Sequence, residues 1–230
     1  MTQFMSNSLF FGAAISLIAY EAGLLLKRKF KMAIFNPLLI AIIAVIAVLC
    51  LLHIDYDTYN QSGQYISYLL TPATVCLAVP LYQQMELLKK NLKAVIIGIV
   101  SGVLASMVSV LIFAKLFGLS HSEYVTLLPK SITTAIGMGV SEELGGLVTI
   151  TVAVIIITGV LGNVIAEAVL KVAKIEEPIA KGLALGTSAH AIGTSKAMEL
   201  GPVEGAMSSL AIAVAGLLTV IAASVFAGFM

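Results

Sequence analysis

Hydrophobic positions run through this chain in blocks of about twenty, with none of the short alternation of a water-soluble fold. Four blocks carry no charged residue: 35–53, 94–114, 144–166 and 205–229. At 1.5 Å per residue each is long enough to cross a hydrocarbon core of about 30 Å as a helix. A fifth block, 8–26, holds one carboxylate, Glu21, near the basic end of the segment, where it reaches the interface or a lysine partner. Three further segments are apolar but interrupted: 66–86 by Pro72 and Pro80, 125–143 by Pro129 and Lys130, and 181–200 by glycines, among them Gly186 and Gly193. The pattern predicts an all-α integral membrane protein of about seven to eight membrane segments, several of them broken or re-entrant. Proline removes a backbone donor and glycine weakens a helix, so broken backbone at membrane depth survives only where protein or a watery cavity satisfies it. Segments of that kind build transport sites.

Composition agrees with the pattern. Hydrophobic residues make up 60% of the chain and charged residues 11%, against about a quarter in soluble domains, and the mean hydropathy is +1.06. No sizeable soluble domain fits in 230 residues so composed. The net charge of +1 gives no reason to expect nucleic acid. Cys50 and Cys76 lie in apolar segments and read as free thiols, neither a disulfide nor a metal pair. Residues 1–20 are uncharged and lack the basic start of a cleaved signal peptide, so they are taken as part of a retained first span.

Lysine and arginine placement orients the segments. Lys27, Arg28, Lys29 and Lys31 put the first loop in the cytoplasm, the loop with Asp55 and Asp57 faces out, and Lys89, Lys90 and Lys93 return inside. The chain is then outside near Lys115 and inside again at Lys171, Lys174 and Lys181, with one clear span between. Segment 125–143 therefore enters and leaves on one side, unless the later lysines depart from the positive-inside tendency. A shift of 113 residues lays Met85-Glu86-Leu87 on Met198-Glu199-Leu200, and block 35–53 on 148–166. This points to an inverted repeat within a single transmembrane domain, with halves near 1–118 and 119–230.

The densest polar chemistry lies in Gly186-Thr187-Ser188-Ala189-His190-Ala191-Ile192-Gly193-Thr194-Ser195-Lys196-Ala197-Met198-Glu199. In an unbroken helix, Thr187, His190 and Thr194 share one face and form a hydrogen-bonding wall. A buried neutral histidine and back-bonded threonines are the plainer reading of the same residues. Lys196 and Glu199, three apart, pair with each other or leave Glu199 to bind a coupling ion. In the second broken segment Pro129 precedes Lys130, Ser131, Thr133 and Thr134, a composition suited to opening a half-helix that attracts anions. Lys130 is the candidate cationic anchor; alternatively it snorkels to the interface. Glu142 and Glu143 are a candidate coupling site or the rim of an outer mouth. His53, His121, His190 and the two cysteines offer no metal-ligand cluster, and no nucleotide-binding glycine loop is present, so no cofactor is expected. Neighbouring Ser195 and Lys196 face apart on a helix and make a poor hydrolase pair, so no enzyme is expected.

Several ordered motifs carry a family resemblance: Asn36-Pro37-Leu38-Leu39; Leu70-Thr71-Pro72-Ala73 with Pro80-Leu81-Tyr82; Leu128-Pro129-Lys130-Ser131 with Thr133-Thr134; Gly145-Gly146; Gly186-Thr187 through His190, Gly193-Thr194 and Glu199; and Glu204-Gly205-Ala206 with Ser208-Ser209. From Asn36 to its end the chain resembles the LrgB family. The resemblance implies a multi-pass protein of the bacterial inner membrane acting with a small LrgA-type partner. It implies two competing descriptions: an antiholin-like regulator of murein hydrolase activity and autolysis, and a transporter of small monocarboxylates such as pyruvate or glycolate. Asn36 and Thr71, in the matching motifs, join the candidate substrate-binding residues. Glu142-Glu143 departs from the family, where small residues are usual. Convergent polar groups at broken helices suit a carboxylate, so transport is the preferred expectation, with membrane lipid and a second copy of the chain as further partners.

Overall fold

A computed structural model of the protein describes residues 10–30, 35–76 and 78–230, without the side chains of 70, 71 and 74. The side chain of Thr71, a candidate binding residue, and the whole of Lys31, used for orientation, therefore lie outside what is described. Every element described is helical, with no strand among them. The chain falls into two compact units, Met1–Cys76 and Leu77–Met230.

The first unit holds α1 (Phe11–Phe30), α2 (Pro37–Leu52), α3 (Tyr56–Ser67) and α4 (Leu70–Cys76). Asn36 starts α2 by local chemistry: its carboxamide oxygen accepts from the N–H groups of Leu38 (2.9 Å) and Leu39 (3.2 Å), and Pro37 occupies the first turn, where no donor is needed. Ala19 on α1 packs with Ala41 and Val45 on α2. Helix α3 was not foreseen, because its residues read as an outer loop around Asp55 and Asp57. It docks on α1 through the Ser62 hydroxyl, which accepts from Gly12 N–H at 2.6 Å, and through the pair Tyr59–Ser16 at 2.8 Å. Pro72 and Pro80 each sit third in a short helix, α4 and α5 (Ala78–Gln83), where a missing donor costs little.

The second unit continues with α6 (Met85–Lys90), α7 (Leu92–Phe117), α8 (His121–Leu127), α9 (Thr134–Glu143), α10 (Val148–Val172), α11 (Pro178–Leu200) and α12 (Pro202–Ala227). Helices α7, α10 and α12, of 26, 25 and 26 residues, are long and apolar enough to cross a membrane. Shorter α2 is also apolar, and broken α11 carries more polar groups. The buried stripe of α7, Val95-Ile99-Val103-Met107-Val110-Ala114, keeps the three-to-four spacing of one helix face and meets Tyr124 and Leu128 of the α8 segment and Met207, Ala211 and Ala215 of α12. Opposite faces expose Ile97, Ile112, Leu116, Ile157, Leu161, Leu217 and Ile221. Helices apolar all round are stable only in an apolar solvent, and the protein is a membrane protein.

Candidate functional site

Segment 125–143 folds as two helices with a tight turn between them. Helix α8 opens with a capping box: the Ser120 hydroxyl accepts from Glu123 N–H, and the Glu123 carboxylate accepts from Ser120 N–H at 2.8 Å. Donation from the Ser120 N–H and from the Ser120 hydroxyl (2.7 Å) to its carboxylate holds the exposed Glu123 carboxyl below its ordinary range. At the far end Pro129 halts α8, and the turn closes through Lys130 N–H to Leu127 O (3.2 Å) and Ile132 N–H to Pro129 O (3.3 Å). Both legs are pinned to α10 by buried hydroxyls. Thr151 Oγ1 lies 2.9 Å from Thr126 O and 2.7 Å from Ser141 Oγ, while Leu147 N–H donates to Thr126 Oγ1 at 2.7 Å. Backbone bonds thus close the turn, while the hydroxyls of Thr126 and Thr151 take up polar backbone groups at Leu147 and Thr126.

The turn between α8 and α9 delivers Lys130 and Ser131 to a groove of about 870 Å³ that runs along α7 and the first half of α11. Its lining extends along α7 from Asn91 to Ser109, about 27 Å of helix, and includes Ser101, Ser106, Thr187 and Ser188, with Glu177 at the start of α11. Lys130 Nζ donates to Ser131 Oγ at 3.0 Å, and Ser131 Oγ lies 3.1 Å from Ser106 Oγ. Lys130 makes no ion pair among the described residues. An ammonium has three donors and only one is engaged, so the groove is lined by a cation able to bind an anion. Helices α7 and α11 approach closely because α7 is bare at the contact: a Cβ on Gly102 would stand 2.7 Å from Thr187 Oγ1.

The polar segment of α11 is not one helix face. Ala189 (φ −130°, ψ 17°) and His190 (φ 42°, ψ −135°) break the helix, and the shared face of Thr187, His190 and Thr194 expected from unbroken geometry is absent. Thr187 lies before the break and reaches the groove. His190 and Thr194 turn instead into the packing with α10 and α12. His190 Nε2 donates to Ile155 O at 3.0 Å; Thr194 Oγ1 donates to His190 O at 3.0 Å and sits 2.7 Å from Ser208 Oγ. A left-handed φ at a residue other than glycine costs about 1–3 kcal/mol and persists only where packing over-determines it. Gly159 supplies the space: a Cβ there would stand 2.7 Å from the imidazole. The break falls at neither Gly186 nor Gly193. Gly186 packs against the α12 backbone at Ser208, and Gly193 against Leu185 O.

The remaining candidates are dispersed. Thr133 and Thr134 begin α9 without lining the groove, and Glu142 and Glu143 are exposed at its end. Lys196 pairs with Glu199 at 3.1 Å and also with Glu167 of α10, a partner the spacing did not reveal. Asn36 and Pro72 belong to the first unit, and the carboxamide oxygen of Asn36 is occupied as a cap. Sequence reasoning missed Ser101, Ser106, Ser188 and Glu177. The small residues of α7, spaced three and four apart from Ala94 to Ser109, were the available signal. Among the described residues no group of three histidine, cysteine or acidic side chains is placed to hold a metal ion.

The LrgB-like family matches residues 16–229. The chain belongs to the LrgB-like family. The antiholin-like protein LrgB of Bacillus mycoides (strain KBAB4) is 40% identical over 222 residues, 96% of each chain, and that of Bacillus cereus (strain B4264) is 39% identical over the same extent. No solved structure matches. The resemblance carried by the ordered motifs is thus borne out along almost the whole chain, and the name of these LrgB relatives describes no enzymatic activity.

Proposed function

We propose that this chain is a multi-pass protein of the bacterial inner membrane with the antiholin-like role in the names of its relatives, acting with a small LrgA-type partner on murein hydrolase activity and autolysis. The observation that carries this reading is similarity: 40% identity over 96% of both chains leaves little room for a different architecture. Deleting the gene should raise autolysis and cell-wall hydrolase activity, and re-expression should restore the wild-type level. Unchanged autolysis in the deletion strain would remove this reading.

A specific observation favours a second reading, in which the chain is a transporter or channel subunit for small monocarboxylates. That observation is the groove lined by Lys130. A carboxylate leaving water must exchange hydration for donors at fixed positions. Lys130 supplies charge, while Ser131, Ser106 and Thr187 supply hydroxyls along the wall. The re-entrant course of α8 and α9, seven to eight membrane segments and the inverted repeat belong to this reading. Proteoliposomes with and without an LrgA-type partner should take up labelled pyruvate or glycolate, and Lys130→Ala should reduce uptake at least tenfold with folding intact. No flux for any small acid leaves regulation as the sole role.

A further inference from the structure

A second cavity, of about 470 Å³, opens where α10 gives way to α11, and Glu167, Leu170, Lys171, Lys174, Glu176 and Lys181 line it. Glu167 is already engaged by Lys196. Lys171, Lys174 and Lys181 form no ion pair among the described residues, so three ammonium groups share this cavity with one uncommitted carboxylate, Glu176. The backbone holds them there. Lys174 adopts a left-handed conformation (φ 54°), with its N–H bonded to Lys171 O at 3.1 Å and Ile175 N–H bonded to Leu170 O at 2.9 Å. This closes the last turn of α10 and sends the chain directly into Pro178, the first residue of α11.

Helix dipoles account for only part of the cluster. Lys171 lies in the last turn of α10, where a cation is favourable. Lys181 lies in the opening turns of α11, where a cation is unfavourable, and the Glu177 side chain makes no capping hydrogen bond at that end. A bound anion offsets the conflict, because it pairs with Lys181 together with Lys171 and Lys174, which line the same cavity. The cavity also sits at the C-terminal end of α10, a helix long and apolar enough to cross a membrane, and basic residues at such helix ends are the kind that meet anionic headgroups.

We propose that this pocket binds an anionic phosphate group, of the kind carried by an anionic lipid headgroup or by a free phosphate. The test uses the full-length protein in detergent, with thermal unfolding followed in added phosphatidylglycerol, phosphatidylcholine or inorganic phosphate. Phosphatidylglycerol should raise the midpoint by several degrees, phosphatidylcholine should not, and Lys171→Gln/Lys174→Asn/Lys181→Gln should lose the shift; asparagine at 174 tolerates the left-handed backbone. A shift of equal size with millimolar inorganic phosphate assigns the pocket to a soluble ligand. Absence of any shift, or the same shift in wild type and triple variant, overturns the proposal. Single Lys181→Gln keeps the test decisive should the triple variant fail to fold. It should lose most of the shift, and retention in full counts against the site. Lys115→Gln, outside this cavity, should respond as wild type.

Discussion

The turn at Pro129-Lys130-Ser131 and the break at Ala189-His190 both place polar groups among apolar helices, yet they end in opposite states. At the break the polar groups are consumed internally: His190 by Ile155 O, and Thr194 by His190 O and Ser208. At the turn, Lys130 reaches one hydroxyl and otherwise faces a groove. A polar group satisfied by its own fold specifies structure, while a cation left facing a cavity is free for a ligand. Histidine, by chemistry the more suggestive residue, is here the structural one.

Uptake and stability should respond separately to changes at the two sites. On the transport reading the largest effect is the loss of carboxylate flux in Lys130→Ala, with little change in unfolding, since its single hydroxyl contact adds little. His190→Ala should behave the other way. It removes the imidazole bond to Ile155 O and leaves a void beside Gly159, and should destabilise the protein by about 2–4 kcal/mol in denaturant titrations in micelles. A stable His190→Ala protein with no flux would reverse the assignment. Gly159→Ala drives a methyl group against the imidazole and should cost about 1–3 kcal/mol, again without a selective effect on uptake.

The smallest effect concerns the capping box that starts α8. The folded pKa of Glu123 lies below its ordinary value of 4.5, so its contribution is present above that pH and fades as pH falls through the folded value. Ser120→Ala should therefore lower the unfolding midpoint slightly at pH 7, and the difference from wild type should shrink below about pH 4.5. A pH-independent difference would mean that the carboxylate takes no part.

Much of the architecture is legible in residue order. The uncharged blocks 94–114, 144–166 and 205–229 correspond to α7, α10 and α12, and Pro129 does halt a helix. The pairing of Lys196 with Glu199 is likewise a matter of spacing. Other features had no local signal. Helix α3 is polar and forms against α1, so its residues read as loop. The break in α11 avoids both glycines and falls on a histidine, because the notch at Gly159 and the acceptor at Ile155 come from another helix.

Hydropathy, prolines and motif order by themselves determined a helical membrane protein of the LrgB-like family, because length and apolarity are properties of each segment alone. Packing between helices selects which polar residues face a cavity and which face one another. Lys130 and Thr187 are 57 positions apart and meet on one groove, whereas Thr187 and His190, three apart, are parted by a break. Side-chain direction along α11 depends on two dihedral pairs at Ala189 and His190, and those are set by what α10 and α12 offer.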